Sequence, residues 1–264
     1  LPPSPFLSTA VGAVTALKGA SEPLRRRYLP AILAGESIAA IAIDEAARHG
    51  PHRIGLHAER SGNGFRLNGT KRFVPFGHVA DLLIVAARTS GAPDDVDGIT
   101  LFAVPGDAAI ASSRRLADAS LAAQLDFVDV QVDGDAAIGE VDGGRGPLDT
   151  LLTVLRTGAA SEMLGLANGA TDMTMAYLRD RRQFGQAIGS FQALQHRAAH
   201  LYCELEVARA AVLKAQQLLD QGAEAADRAA TVAKGMVGFA SLLAVQEGVQ
   251  MHGGIGMTDE YDVG

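Results

Sequence analysis

The sequence predicts an α+β protein in which incomplete N-terminal helices, a middle antiparallel β domain and a C-terminal helix bundle follow one another. Residues 6–35 and residues from 148 onward carry apolar side chains at helical spacing. Residues 37–140 instead contain short runs of β-forming residues between turn residues. We therefore expect domain boundaries at 1–36, 37–142 and 143–264.

The N-terminal helices are predicted from small and apolar residues followed by the segment EPLRRRYLPAILAGE. Pro30 is expected to interrupt this helix, because proline has no N–H to donate. Gly35 suits the end of a helix, where a left-handed residue is common.

Five runs predict the strands of the middle domain: SIAAIAIDE, FRLNGTKRFV, DLLIVAART, GITLFAVP and LDFVDVQVD. Asn63-Gly64 and Asn68-Gly69 are expected to form turns on either side of a strand, because both residue types tolerate positive φ.

Three long helices are predicted for the C-terminal bundle. They cover residues 148–180, residues 191–220 and a stretch starting near Ala223. Alanine-rich sides on all three imply close helix packing.

The composition excludes several classes of function. The net charge is −7 with both signs interspersed, which argues against a nucleic-acid partner. No stretch of about 18 uncharged apolar residues occurs, so no membrane span is predicted. Cys203 is the only cysteine, so the chain cannot form an internal disulfide or a cysteine zinc site, and a reducing cytoplasm is expected.

No metal site is predicted. His196 and His200 have the spacing of a metal pair on one helical face, but no Glu follows the first histidine. We interpret them as polar residues on the side of a bundle helix. The glycines of VDGGRG lack the lysine of a phosphate loop and are interpreted as a connector.

An arginine cluster lies at a glycine-bearing break between two helices, in RDRRQFGQAIGSFQALQ. Arg181 and Arg182 could meet a pyrophosphate, with Phe184 and Ile188 covering an adenine. The alternative is a turn in which Phe184 and Phe191 are core anchors. The spacing alone leaves both interpretations open.

A second glycine segment is GVQMHGGIGMTDEYD. Gly253-Gly254 would let the backbone approach a ligand closely. The acidic residues at 259, 260 and 262 could include a base, although their composition alone favours a solvated acidic turn.

Taken together, these segments resemble the acyl-CoA dehydrogenase family. The resemblance rests on GASEPLRRRYLPAILAGE, FRLNGTKRFV with HVADLLIVAART, RRQFGQAIGSFQALQ and VQMHGGIGMTDEY, in the family's order and over nearly the whole chain. It implies a C-terminal four-helix domain, FAD bound across a subunit interface and α,β-dehydrogenation of an acyl-CoA. An electron-transfer flavoprotein is the implied acceptor.

The resemblance also implies roles for individual residues. Glu260 falls at the family's commonest base position. Some relatives carry their base one residue before the position of Arg156, where this chain has Leu155; Arg156 itself is assigned to the substrate. The implied contacts to a neighbouring subunit's FAD are Arg181, Phe184, Ile188, Gln192, Gln250, Gly253 and Gly254.

Two departures from the family pattern fall on residues that would hold the chain's own flavin ring. The segment DEAARHGP (44–51) retains Glu45 but lacks the family's Pro and Gly-Ser-Asp in register. Pro75 stands where the family usually offers Thr or Ser, and proline supplies neither a hydroxyl nor an N–H. The pattern favours one subunit of a hetero-oligomer such as α2β2, by analogy with enzymes acting on bulky thioesters, including steroid side chains.

Other interpretations remain open. The chain could form an ordinary homo-oligomeric dehydrogenase with Glu260 as base, or a non-catalytic subunit that completes the partner's FAD site. A flavin monooxygenase of the same fold would lack the carboxylate base, and a cofactor-free structural protein is the remaining alternative.

Overall fold

The computed structural model describes residues 4–258 and 260–263. They form two compact units, and the chain passes from the first to the second between Leu155 and Arg156. The α+β class is confirmed, since helices, a large sheet and then a group of long helices follow in that order.

The N-terminal residues form the predicted helices. A π-helical segment, Leu7–Ala13, runs into helix α1 (Val14–Leu17), and α2 (Glu22–Ala34) follows. Gly35 ends α2 with φ of 74°, as predicted. The expected interruption at Pro30 was wrong, because α2 continues through it. A proline removes one helical hydrogen bond, whereas buried Leu24 and Ile32 hold α2 on the core on either side of it.

The first unit contains one mixed sheet of eight strands. Its central path runs β6-β7-β3-β2-β4-β5-β8, and β1 also pairs with β4. The strands are β1 (Ala39–Ala42), β2 (His57–Ser61), β3 (Gly64–Pro75), β4 (Leu82–Arg88), β5 (Ile99–Pro105), β6 (Ile110–Arg115), β7 (Leu121–Val132) and β8 (Ala137–Ile138). Most pairings are antiparallel as predicted, but β4 runs parallel to both β1 and β2.

Strand β4 is buried on both faces, and its alternate side chains enter two different cores. Leu82, Ile84 and Ala86 pack with the N-terminal helices and the start of α3 (Arg145–Asp180). Leu83, Val85 and Ala87 pack with residues of β3, β5 and β7. This alternation follows from the twofold period of a strand.

The two predicted Asn-Gly turns have different outcomes. The β2–β3 hairpin turns at Gly62-Asn63, one residue before the predicted pair, and Ser61 pairs with Gly64. The turn predicted at Asn68-Gly69 was wrong, because these residues lie inside β3 at a shift in its register with β7. Gly69 has φ of 141° and lies so close to Leu56 that a Cβ atom would come within 2.9 Å of its Cα. The extra residue at this shift lies on β7, between Val130 and Phe127, so glycine serves here for its positive φ and for the close approach to Leu56.

The second unit is built on three long helices, of the four that the resemblance implies. They are the later part of α3, α4 (Gln192–Asp220) and α5 (Ala226–His252), within one or two turns of the predicted bounds. Their shared core is rich in alanine, including Ala160, Ala208 and Ala233. Small side chains let the helices approach closely, as predicted.

One helical stretch, Ala226–Met257, is long and apolar enough to cross a membrane by length and composition alone. Its mean hydropathy is 1.3 in the relevant window, and 28% of that window is buried within the protein. Core helices of soluble proteins meet the same criterion, and buried residues of α5 belong to the bundle core. The prediction that this chain has no membrane span therefore stays a prediction.

Candidate functional site

The arginine-rich break between α3 and α4 is a β-hairpin. Strands β9 (Arg182–Gln183) and β10 (Gln186–Ala187) pair across a turn at Phe184-Gly185. Phe184 has φ of 52° and 88% of its surface is exposed. Positive φ costs a non-glycine residue about 1–2 kcal/mol, so the hairpin holds this ring in solvent against a local penalty. The interpretation of Phe184 as a core anchor was wrong, because its ring is exposed; it packs edge-to-face with Phe191, with 6.0 Å between the ring centroids.

The other predicted residues of this hairpin region are also accessible. Arg181 and Gln192 are exposed, and Ile188 is half-buried. Within the described part of the chain, no side chain pairs with the Arg181 guanidinium. The hairpin is closed at its base, where the Ile188 N–H donates to the Arg181 carbonyl at 2.9 Å.

The glycine segment forms the end of α5 and a 3₁₀ turn, Gly253–Met257. Gly253 has φ of 66° and ψ of −140°, a conformation that only glycine adopts readily. Gly253, Gly254 and Gln250 are exposed, and a Cβ atom on either glycine would meet nothing within 4 Å. The backbone here therefore faces open space in which a ligand could approach.

These two segments lie at the same end of the bundle. The Tyr177 ring stacks on the His252 ring at 4.4 Å. Arg181 follows Tyr177 by one turn, and its backbone N–H donates to the Tyr177 carbonyl. Arg181 thus lies just past the end of α3, and Gly253 lies just past the end of α5. The bundle brings the predicted cofactor segments together although they are about 65 residues apart in sequence.

Glu260 lies in a turn beyond the glycine segment, with its side chain exposed, and Asp262 is exposed as well. Asp259, the third acidic residue of the sequence pattern, lies outside the described residues. The accessible carboxylate of Glu260 is compatible both with a base that meets a ligand and with a solvated acid.

Arg156, the predicted substrate residue, is half-buried in α3. Its Nη1 atom contacts an Asp227 carboxylate oxygen at 2.5 Å and the Thr231 hydroxyl at 3.3 Å. A guanidinium has five N–H donors, so donors on its other nitrogens remain for a ligand.

In the first unit, the segment DEAARHGP, which the resemblance places at the flavin ring, is fixed by its own side chains. The Asp44 carboxylate hydrogen-bonds His49 at 2.8 Å and accepts the Gly50 N–H at 3.0 Å. Glu45 accepts the N–H groups of Gly55 and Leu56 at 2.8 and 2.9 Å.

Lys71 completes the environment of Glu45. Its ammonium donates to the carboxylate at 2.7 Å and to the Ile43 carbonyl at 2.8 Å, and its side chain is fully buried. Burial lowers the pKa of Lys71 to about 8, although the adjacent carboxylate opposes that shift. Both Glu45 oxygens are therefore engaged inside the protein.

The strand beside this pair is irregular around Pro75. Phe73 and Phe76 have φ of 51° and 59°, and the register of β3 with β7 shifts between Lys71 and Val74. The Phe73 ring is about half exposed, while the Phe76 N–H donates to the Leu121 carbonyl at 3.3 Å. Sequence reasoning passed over Phe73; two aromatic residues flanking Val-Pro could have indicated an exposed bulge.

His196 and His200 are both exposed, and His200 lies 3.6 Å from Glu204 one turn along α4. Across residues 4–258 and 260–263, no group of three or more potential ligands is arranged to hold a metal ion. Cys203 is free and exposed.

Comparison with known proteins identifies two matching family models. The acyl-CoA dehydrogenase middle domain matches residues 53–133, and the acyl-CoA dehydrogenase C-terminal domain matches residues 142–264.

Three similar proteins illustrate the match. The short/branched chain specific acyl-CoA dehydrogenase of Rattus norvegicus is 31% identical over 93% of this chain, which spans 58% of that protein. Acyl-CoA dehydrogenase FadE12 of Mycobacterium tuberculosis is 30% identical over 97% of this chain, which spans 68% of the relative. The solved butyryl-CoA dehydrogenase of Megasphaera elsdenii has a TM-score of 0.89 and 26% identity, covering 97% of this chain and 68% of its own.

Proposed function

This chain belongs to the acyl-CoA dehydrogenase family, and we propose that it is one subunit of an FAD-dependent, hetero-oligomeric enzyme that dehydrogenates an acyl-CoA thioester. The chain spans little more than half the length of the rat relative, so its activity, substrate and partners are all part of the proposal. We also propose that residues 1–36, 37–142 and 143–264 are its N-terminal helical, middle β and C-terminal helical domains.

The observation that carries the proposal is a contrast between two sets of residues. The first set, assigned to a neighbour's FAD, suits a dinucleotide. Arg181 offers a free guanidinium for a phosphate, and Phe184 offers an exposed ring for a base. Gly253 and Gly254 leave open space beside the backbone for the pyrophosphate, with the amide of Gln250 one turn before them. Gln192 and Ile188 complete this proposed adenosine side.

The second set, which would hold a flavin ring in the chain's own site, fits poorly. Pro75 has no N–H, and both oxygens of Glu45 are bound to Lys71 and backbone amides. We infer that a homologous partner subunit holds the complete flavin-ring pocket, in a tetramer such as α2β2.

The proposed chemistry divides between cofactor and side chains. Bound FAD supplies the hydride acceptor that no side chain can provide. Glu260 is the proposed base for the α proton of the thioester, which is weakly acidic and needs a positioned carboxylate. Arg156 is the proposed substrate contact through its remaining N–H donors. An electron-transfer flavoprotein is the proposed acceptor, and the cytoplasm the proposed location.

A non-catalytic role for this subunit is the second candidate. It is favoured by the same two observations, that both oxygens of Glu45 are already bonded and that Pro75 has no N–H to donate. In that case the chain completes the adenosine end of the partner's FAD, and Glu260 is not used.

Visible absorbance tests the heteromer. The full-length chain is purified alone and together with its homologous partner, and flavin absorbance is compared per chain. We expect a nearly colourless lone protein and a yellow complex. A full flavin complement in the lone protein would rule out the heteromer.

A carboxylate-to-amide substitution separates the two candidates. Glu260→Gln in the complex should lower kcat by about 10²–10⁴-fold if this residue is the base. Asp262→Asn, which removes a neighbouring exposed carboxylate, is the matched control and should keep nearly full activity. Full activity of the Glu260→Gln complex would assign the base to the partner.

A further inference from the structure

The residues just after Glu260 fold back onto the end of the bundle. Tyr261 lies 4.9 Å from the ring of His252, the last residue of α5, and 6.2 Å from the ring of Tyr177 on α3. His252 is itself stacked on Tyr177 at 4.4 Å, with an angle of 28° between the rings. The three rings form one aromatic cluster, which ties the segment to two helices.

His252 is suited to this packing role. It is 4% exposed, and its Nδ1 atom lies 2.7 Å from the Gly248 carbonyl. Its Nε2 atom is buried and has no hydrogen-bond partner among residues 4–258 and 260–263. Its described contacts are thus packing contacts with two tyrosines and one bond to its own helix.

A second contact lies two residues beyond Tyr261. Val263 is 4% exposed and packs against Gly248 of α5. A Cβ atom at Gly248 would lie 3.0 Å from Cγ2 of Val263 and 3.2 Å from Oγ1 of Thr174. Because such distances are tighter than ordinary van der Waals contact, the missing side chain of Gly248 makes the notch that receives Val263.

The end of α5 at His252 and the aromatic contact at Tyr261 lie on either side of the proposed catalytic segment. The chain leaves the bundle at His252, passes through the turn Gly253–Met257 and returns at Tyr261. Glu260 is the residue immediately before the first contact and has an exposed side chain. Its place is therefore set by the rings of Tyr261, His252 and Tyr177 and by the notch at Gly248.

We propose that Tyr177, His252, Tyr261 and Gly248 are positioning residues that hold Glu260 and the Gly253-Gly254 turn in their working arrangement. This inference rests on the proposed function for its catalytic part. The anchoring itself is a property of the bundle and can be measured without turnover.

Hydrogen exchange tests the anchoring in the complete heteromeric complex. Tyr261→Leu removes the ring and keeps an apolar side chain, and Gly248→Ala fills the notch. Both should speed amide exchange in residues 258–263 while the core of the bundle stays protected. The matched controls are Tyr202→Leu, an exposed tyrosine on α4, and Gly235→Ala, whose added Cβ meets nothing within 4 Å. Unchanged exchange in both test variants would overturn the anchoring.

A double variant guards against a general folding defect. Val263→Ala shortens the side chain that a Gly248→Ala substitution would displace, so the pair should restore slow exchange toward the wild-type rate. If the double variant exchanges as fast as Gly248→Ala alone, the notch does not act through Val263 and that part of the proposal fails.

Kinetics test the catalytic part. A displaced base should lower kcat by about 10²-fold for a shift near 1 Å, with KM and flavin content close to wild type. If exchange rises, kcat holds and Glu260→Gln is also fully active, the base assignment of the proposed function has failed while the anchoring stands. If exchange rises and kcat holds although Glu260→Gln is inactive, the positioning role is overturned.

Discussion

The ammonium of Lys71 lies 2.7 Å from a carboxylate oxygen of Glu45, and the lysine side chain is fully buried. Glu45 also accepts two backbone N–H groups just before β2, and Lys71 donates to the carbonyl of the residue just after β1. One ion pair therefore joins three chain segments around the stretch for which a flavin-ring contact was predicted.

Removing the carboxylate should leave a buried ammonium without its counter-charge. We expect Glu45→Gln to lower the free energy of unfolding by about 3 kcal/mol at neutral pH, measured by urea denaturation. The matched control is Glu59→Gln, which breaks an exposed pair with Arg66 at 2.8 Å and should lower the free energy of unfolding far less, because water screens that pair. Equal losses in the two variants would contradict a special role for the buried pair.

The same pair predicts a pH dependence. Burial lowers the pKa of Lys71 from 10.5 to about 8, so the unfolded chain binds more protons between these pH values than the folded chain does. The free energy of unfolding should therefore rise with pH across that window, by about 3 kcal/mol in full. Lys71→Met has no proton to exchange. As the pH rises from about 8 to about 10, the free energy of unfolding of the wild type should therefore increase relative to that of Lys71→Met. A difference that does not change with pH would contradict the lowered pKa.

The order of helices and strands could be predicted from the sequence, but the ion pair between Lys71 and Glu45 could not. The strand and helix runs predicted the order of elements, because their periods of two and 3.6 reflect local backbone geometry. Lys71 falls on the inward parity of β3 with Phe65 and Leu67, which could have indicated a buried cation. Its partner Glu45 could not be read in the same way, since the pair is 26 residues apart and depends on how β1 and β3 meet.

The wrong predictions of secondary structure have a common physical cause. Asn68-Gly69 has the composition of a turn, yet β3 continues through it and pairs with β7, which carries a bulge opposite these residues. Pro30 breaks the local helix pattern, yet α2 continues through it because residues on both sides of the proline are buried in the core. Tertiary packing outweighed the local preference in each case. The contact of Tyr261 with His252 likewise carries no periodic signal, and only the folded bundle reveals it.

The close approach at Gly69 can be tested against another glycine that has positive φ but open surroundings. Gly69→Ala would place Cβ 2.9 Å from backbone of Leu56 and should cost about 3 kcal/mol or more. Gly62→Ala has φ of 59° but nothing within 4 Å, so it should cost only about 1 kcal/mol. Thermal or urea unfolding measures both, and a larger loss at Gly62 would contradict the close approach.

Arg88 is a buried cation that lies among carbonyls rather than beside a carboxylate. It is 1% exposed and donates to the carbonyls of Ile54, Asp97, Pro93 and Asp95 at 2.5–3.2 Å. Arg88→Met should leave these acceptors unsatisfied and lower the free energy of unfolding by about 2–4 kcal/mol. Arg114→Met on the exposed strand β6 is the control and should change it by less than about 0.5 kcal/mol. Similar losses in the two variants would show that the carbonyl contacts of Arg88 contribute little.

The proposed cofactor contact of Arg181 predicts a binding defect without a folding defect. Its guanidinium is exposed and engages no side chain in the described residues, so Arg181→Ala should leave the unfolding temperature of the lone chain unchanged. A charge-assisted hydrogen bond to a phosphate contributes about 1.5–3 kcal/mol, so FAD should dissociate from the heteromeric complex about 10- to 100-fold more readily. The matched control is Arg179→Ala, which removes an exposed arginine from the last turn of α3 and should retain FAD as the wild type does. Flavin retained after repeated ultrafiltration measures the effect. Equal retention in both variants would remove Arg181 from the proposed site and leave Phe184 and the Gly253-Gly254 turn to account for the adenosine end.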